Sequence, residues 1–284
     1  SYEESRAGMR LVLEGLADPV QAAVFLIGLR MKRETDDENK GILQGIRDKT
    51  KTVVADVDEL VDIADPYNGY GRSLPSSPFL PVLLAESGVP AVSHGVETVG
   101  PKFGVTHHQI LQAAGVSVAL TGEEAGKQIS NPEIGCAYVD QSQFCPSLFG
   151  MAEFRKKIVK RAAISTAEVL TGPVRGRNKT HLLTGYVHNE YPPIYTMLAR
   201  HSGFNSALLM RGTEGGVTPS LCKRGEFVRY WEQSKDVVVE ADTSKIGIEQ
   251  ENRLVPIAHA LMPIIDREFG PDENNAEIAK LAAK

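Results

Sequence analysis

The sequence predicts an α/β protein with a small N-terminal helical domain and a large domain whose mostly parallel sheet is flanked by helices. Three observations predict this. Apolar residues in the first part recur at helical spacing. From residue 59 short apolar runs alternate with helical stretches. Between the runs stand the residues that start and stop helices, such as Ser76-Ser77-Pro78 and Gly88. Strand, helix, strand in repetition implies a parallel sheet with helical crossovers. Residues 1–50 form the expected helical domain, with a helical return near 145–170, and 51–284 form the expected large domain.

Each element has its own signal. Asp18-Pro19 gives an N-cap with proline at the first helical position, and Val20, Val24, Ile27 and Met31 then fall on one face. Thr35-Asp36-Asp37-Glu38 has capping-box spacing ahead of Ile42, Leu43 and Ile46. Strands are expected at the runs 60–63, 89–92, 116–120, 136–139, 181–183 and 207–210, and a further one at Val237-Val238-Val239. The segment from Asn252 to Phe269 reads as helical, and the residues from Asn274 as a surface helix.

The 284 residues are 42% hydrophobic and 24% charged, an ordinary globular composition. A net charge of −5 argues against a generally basic, nucleic-acid-binding surface but leaves room for a local basic patch. No apolar stretch reaches the ~18 to 20 residues of a membrane helix. The acidic start Ser1-Tyr2-Glu3-Glu4 does not read as a secretion signal, and it lacks an initiator Met. Cys136, Cys145 and Cys222 are odd in number and form no CxxC pair, so reduced thiols and a cytoplasmic location are expected.

In an open parallel sheet, ligands gather beyond the carboxyl ends of the strands. Three segments there bear on function. Asp65-Pro66-Tyr67-Asn68-Gly69-Tyr70-Gly71 leads to Ser73 and the helix start at Ser76-Ser77. Asn68 and Gly69 permit positive φ, so backbone N–H groups can converge on an anion, although the same residues make an ordinary Asn-Gly turn with serine caps. Ser93-His94-Gly95 follows the next strand, and His94 is either a phosphate donor or a hydrogen-bonded structural group. Arg211-Gly212-Thr213-Glu214-Gly215-Gly216 allows close backbone approach to a ligand, or simply makes a tight turn.

A basic run adds Arg155, Lys156, Lys157, Lys160 and Arg161 at helical spacing, then Arg175, Arg177 and Lys179. It reads as a solvated helix face or as a surface for an anionic ligand. His107 and His108 are adjacent and point ~100° apart on a helix, so no metal site is read there.

Taken in order, these segments resemble anthranilate phosphoribosyltransferase and its relatives in glycosyltransferase family 3, over residues 4–220. The run Gln21 to Thr35 resembles the family's N-terminal pattern. Asp65 to Ser77 stands where the family has a Gly-Thr-Gly-Gly-Asp loop and an Asn-Ile-Ser-Thr helix start. Ser93-His94-Gly95 stands at its Lys-His-Gly. His108-Gln109-Ile110-Leu111-Gln112-Ala113-Ala114-Gly115 resembles its Ala-Asp-Val-Leu-Glu-Ala-Leu-Gly helix. Cys145-Pro146 with Arg155 keeps the register of its His-Pro and substrate-carboxylate Arg. Arg211 to Gly215 resembles its His-Gly-x-Asp-Gly loop.

The departures fall on the motifs. The pyrophosphate loop has become Pro66-Tyr67-Asn68-Gly69-Tyr70, with one N–H missing and two bulky rings added. Val217 and Thr218 stand where the family's magnesium-binding Asp-Glu pair would be, and Ser93 and Cys145 replace its Lys and His. This pattern is closest to a divergent branch with a Tyr-Asn-Gly loop and a Gly-Thr-Glu-Gly loop, whose members are implicated in nucleic-acid binding as dimers.

The resemblance implies two readings. In the first, a phosphate or phosphosugar pocket lies at the sheet edge. Asn68, Gly69, Ser76, Ser77, Gly212, Thr213 and Glu214 hold the anion, His94 and Gly95 line an acceptor site, and Arg155 binds an acceptor carboxylate. Magnesium takes part only if transferase activity is retained, and anthranilate transfer is expected to be inefficient. In the second, the fold has lost its reaction and binds nucleic acid or another polyanion through Lys156, Lys157, Lys160, Arg161, Arg175, Arg177 and Lys179. Both readings expect a homodimer and no membrane partner.

Overall fold

The computed structural model describes residues 1–220, 222, 225–248, 250–251 and 271–283. The helix expected over 252–269 lies outside them.

The chain begins with α1 (Tyr2–Leu13), α2 (Pro19–Lys32) and α3 (Asp36–Arg47). Each starts with a reciprocal capping box, at Ser1/Glu4, Asp18/Gln21 and Thr35/Glu38, so free N–H groups of each first turn are satisfied locally. α1 lies close on α3 at Gly41, where a Cβ would stand 2.4 Å from the Tyr2 carbonyl oxygen. The buried stripe of α2 is Ala22, Leu26 and Leu29. The face carrying Val20, Val24 and Met31 is instead exposed, at 69%, 67% and 75%. The chain runs apolar on both sides of this helix, so periodicity identified the helix but not which side faces the core.

The main sheet has seven strands in the order β4-β3-β2-β6-β7-β8-β9. They are β2 (Glu59–Ala64), β3 (Ala91–Gly95), β4 (Cys136–Asp140), β6 (Lys179–Tyr186), β7 (Ser206–Arg211), β8 (Gly225–Trp231) and β9 (Val237–Ala241). The pairs from β4 to β7 are parallel, and the β7–β8 and β8–β9 pairs are antiparallel. Two short strands, β1 (Val53–Val54) and β5 (Val174–Arg175), pair separately. Crossovers are helical: α4 (Leu80–Glu86), α5 (His107–Ala113), α6 (Gly122–Ser130) and α11 (Tyr191–His201). The helical return comprises α7 (Gln141–Phe144), α8 (Pro146–Phe149), α9 (Ala152–Ile158) and α10 (Ile164–Ala167), and α10 packs on α3.

The architecture is the expected mostly parallel α/β sheet behind a helical N-terminal region. Two element expectations change. Residues 116–120 form no strand. They run exposed or half-buried between α5 and α6 and have no pleated face to bury. The tail helix α12 (Pro271–Ala282) is more than a surface helix, because Ile278 and Ala279 are buried against Tyr70, Val105 and Ile110.

One apolar core joins the two regions. Leu26, Ile42, Leu43 and Ile46 continue through Phe144, Leu148, Ile164 and Leu170 to Leu60, Val92, Leu182 and Ala207. Burying each large aliphatic side chain stabilises by about 1.5–3 kcal/mol, so the helical region is fixed against the sheet rather than tethered to it. The carboxyl ends of β2 and β6 lie side by side, with Ala64 opposite Thr184. The chain leaves β2 towards β3 on one side and β6 towards β7 on the other. The crevice between them is the topological switch point, where open α/β sheets bind ligands.

Candidate functional site: a cationic cavity at the sheet edge

A buried carboxylate organises the loops at this edge. Asp65, the first residue after β2, accepts Oδ2 contacts from the Tyr70 hydroxyl at 2.5 Å and the Ser77 hydroxyl at 2.7 Å. His107 Nε2, at the start of α5, lies 2.7 Å from the same oxygen. Asp65 Oδ1 accepts the backbone N–H of Val217 at 2.8 Å. Burial alone raises this carboxyl, but His107 and the hydroxyl donors outweigh it and hold the group below the usual carboxylate range. Gly69 makes the turn possible: its φ is +72°, and a Cβ would stand 2.4 Å from the Val105 carbonyl oxygen.

A second carboxylate closes the loop from outside. Glu214, at φ 54°, reaches from the turn after β7 and accepts the backbone N–H groups of Gly71 (3.1 Å), Arg72 (2.8 Å) and Ser73 (3.1 Å). It also accepts the Ser73 hydroxyl at 3.0 Å and pairs with the Lys102 ammonium. Three successive amides converging on one anion form a nest. Burial raises the Glu214 carboxyl, yet the Lys102 donor and the amides of Gly71 and Arg72 prevail and hold it low. Burial pulls the Lys102 ammonium down, Glu214 opposes this, and the charges of Arg161 and Arg72 add to the lowering. These three cations therefore share one electrostatic neighbourhood.

Between the loops lies a cavity of about 540 Å³. Ala64, Pro66 and Asn68 contribute from β2 and its loop, and Thr184 to His188 from the end of β6. Arg161, Ser165 and Arg30 close it from the helical side. Its charged lining is Arg30, Arg72, Lys102, Arg161 and Glu214, and one wall carries Tyr186, His188, Tyr191 and Tyr195. Arg30 pairs with Glu34 at 3.4 Å. Among the described residues, no ion-pair partner stands against the guanidinium of Arg72 or Arg161. The volume lies within the roughly 300–1,000 Å³ of small-molecule sites.

The sequence-selected residues divide. Asn68 and Glu214 line the cavity. Gly69 stands beside it and gives its carbonyl to Lys102 at 2.7 Å. Gly212 and Thr213 shape the turn that presents Glu214, Thr213 donating to the Thr218 carbonyl at 2.8 Å through its N–H and 2.9 Å through its hydroxyl. Ser76 is exposed without a capping bond, and Ser77 is consumed by Asp65 and His107. His94 and Gly95 lie inside β3 rather than after it. His94 is fully buried, with Nε2 2.8 Å from Asp62 Oδ1 and Nδ1 against the Tyr67 hydroxyl. With Gly95 it borders a separate void of about 10 Å³, which is also lined by Asp65, Pro66 and Tyr67 of the loop after β2.

Arg155 does not reach the cavity. Its fork is taken by Glu168, with both N–O distances at 2.7 Å. The basic run is not one face either. α9 ends at Ile158 and Val159 turns left-handed at φ 58°, so Lys160 and Arg161 leave the helix. Lys156, Lys157 and Lys160 are exposed, whereas Arg161 lines the cavity. Arg175 lies 4.1 Å over the Phe204 ring, and burial pushes its guanidinium down to about 10. Arg177 pairs with Asp56 and Asp58, and Lys179 with Glu232. Lys179 begins β6, at the end of the strand opposite the cavity.

Arg30, Arg72, Lys102 and the tyrosine wall were missed by sequence reasoning. Arg72 and Lys102 carried a signal, since both follow a strand of the parallel sheet within Gly-rich segments. Arg30, in the last turn of α2, and Tyr195, in the middle of α11, sit within helices and carried none.

Residues 1–50 match the helical bundle domain of the glycosyl transferase family. The chain is 29% identical to an anthranilate phosphoribosyltransferase of Cupriavidus necator over 215 residues, covering 75% of this chain and 61% of that enzyme. It is 24% identical to an uncharacterised Aquifex aeolicus protein over 249 residues, covering 88% and 73%. The fold matches the crystal structure of anthranilate phosphoribosyltransferase from Thermus thermophilus with a TM-score of 0.72 at 20% identity, over 98% of this chain and 77% of that one. It also matches the Saccharomyces cerevisiae enzyme in complex with PRPP and Mg, with a TM-score of 0.70 at 14% identity, over 99% and 76%. The chain thus spans about three fifths (61%) of the length of the Cupriavidus relative.

Proposed function

The chain is an anthranilate phosphoribosyltransferase-like protein of glycosyltransferase family 3, and on that premise we propose that its cavity binds the phosphate of a phosphorylated small molecule of the phosphosugar type. The observation that carries this reading is the convergence of Arg72, Lys102 and Arg161 on the 540 Å³ cavity at the switch point. Their summed charge exceeds that of Glu214, and guanidinium groups suit phosphate oxygens through bidentate donation. Asn68, which also lines the cavity, supplies a neutral amide beside them. The yeast neighbour, solved with PRPP, supports the same ligand class.

On this reading the chain is a poor anthranilate phosphoribosyltransferase. Magnesium, when bound, neutralises charge on a pyrophosphate leaving group. The residues here do not fit it. Val217 is buried in an apolar cluster with Ile63 and Ala91, and its N–H is bound to Asp65. The carboxylates of Asp65 and Glu214 are already committed to donors from the chain itself. Arg155, the candidate for an acceptor carboxylate, is closed by Glu168.

The nucleic-acid reading is the weaker one, because Arg155 is internal, Arg177 and Lys179 are paired, and Lys179 lies at the far end of β6. A homodimer through the helical domain fits the exposed Val20, Val24 and Met31 face. The test is calorimetric titration of phosphoribosyl pyrophosphate without added metal, at two salt concentrations. The expected result is micromolar-range, single-site binding with a shallow salt slope. No heat with this ligand, together with steep salt-dependent binding of single-stranded DNA, would replace the reading with the polyanion one.

A further inference from the structure

The nest of amides at Gly71, Arg72 and Ser73 is an anion site, and in this structure its anion is the chain's own Glu214. The surroundings are charged for more than one carboxylate. Lys102 pairs with Glu214, while Arg72 and Arg161 add two further positive charges on the same cavity. Three cations against one carboxylate leave an excess of two, the charge of a phosphate dianion. The carboxylate is also delivered at a conformational cost: Glu214 has φ 54° and ψ 14°, a left-handed backbone that side chains with a Cβ seldom adopt. The turn that carries it is short and flanked by Gly212, Gly215 and Gly216.

Resting on the reading of the cavity given above, we propose that Glu214 is an internal competitor of the ligand. Its carboxylate and the oxygens of a phosphate-class anion occupy the amide nest at Gly71–Ser73 in turn. Phosphate seats there by displacing Glu214, whose side chain swings out as the turn after β7 relaxes. Glu214 thereby sets the affinity threshold of the cavity, keeping the loop after β2 ordered when phosphate is scarce and yielding when it is abundant. No covalent bond changes; one anion replaces another on the same donors.

The experiment compares wild type, Glu214→Ala and Glu214→Gln, with inorganic phosphate as the probe, by calorimetry and by thermal unfolding. Removing a competing charged hydrogen-bond partner predicts at least about tenfold tighter phosphate binding in E214A. Phosphate should also raise the Tm of E214A more than that of wild type, with chloride at equal ionic strength having no such effect. E214Q, which keeps an acceptor oxygen but no charge, should fall between the two, and it decides the question if E214A does not fold. Wild type that binds phosphate while the variants bind it no tighter overturns the competitor role and leaves the cavity reading standing. Absence of phosphate binding in all three proteins overturns both.

Discussion

Arg155 directs both ends of its guanidinium at the carboxylate of Glu168, with N–O distances of 2.7 Å each, and both side chains are buried. Glu168 receives a further contact from Gln141 at 3.3 Å. The pair fastens α9 to the turn that follows α10, and so fixes the short segment carrying Arg161 and Ser165 at the cavity mouth. Breaking one member of such a buried pair leaves an uncompensated charge and costs about 3–5 kcal/mol. Arg155→Ala should therefore lower the urea midpoint strongly, as read by circular dichroism. A change within about 0.5 kcal/mol, the size of an ordinary surface substitution, would mean that Arg155 is free to serve a ligand after all.

Asp65 makes the acid limb of stability a test of the loop network. Its folded pKa is depressed, by His107 and the hydroxyl donors acting against burial. Its contribution is thus fully present above the unfolded value of about 3.9 and is lost as pH falls through the lower folded value. Asp65→Asn should cost about 1–3 kcal/mol at neutral pH through mispaired donors and should flatten the loss of stability below pH ~4. Chemical denaturation at a series of pH values reads both effects. An acid limb identical to wild type would show that Asp65 is not the titrating group.

The reach of the sequence can be judged from particular residues. β2, β4, β6 and β7 were legible because each is an apolar run bounded by turn or helix signals. Residues 116–120 carried the same apolar signal but lie exposed or half-buried, because partner strands and not propensity decide whether such a run pairs. β8 went unnoticed: its Phe227, Val228, Tyr230 and Trp231 are strand formers, yet charged Glu226 and Arg229 interrupt the alternation. At the site, Asn68 and Glu214 stood out through their glycine-rich loops. Lys102 and Arg161 joined them through long-range packing that spacing cannot report. Arg155 looked functional because its partner, Glu168, is thirteen residues away with no periodic relation to it.

The exposed face of α2 bears on assembly. Val20, Val24 and Met31 are each more than two-thirds exposed. If this face forms the dimer, wild type sediments at twice the chain mass at micromolar concentration and Val24→Glu sediments as monomer. Burying an unpaired charge at an interface costs several kcal/mol, ample to dissociate a micromolar dimer. A wild-type monomer at that concentration would contradict the proposal.

Turnover of anthranilate with phosphoribosyl pyrophosphate and excess magnesium should be at least ~100-fold below the ~10 s⁻¹ typical of enzymes, since losing even one preorganised donor costs about that much. A fluorescence assay of anthranilate consumption measures this. A rate near ~10 s⁻¹ would show that carboxylates elsewhere in the chain bind the metal in place of the residues at positions 217 and 218.

Pyrophosphate titration of two variants tests the cavity most directly. Arg161→Ala removes a guanidinium from the cavity, and the triple change Lys156→Glu, Lys157→Glu, Lys160→Glu reverses the neighbouring exposed charges. Losing one charge-assisted contact costs about 1.5–3 kcal/mol, so R161A should weaken binding by about 10- to 100-fold with Tm unchanged. The triple variant should bind pyrophosphate within about threefold of wild type, because surface charges are screened by salt. Equal weakening in both variants, or none in R161A, would contradict a phosphate site in the cavity.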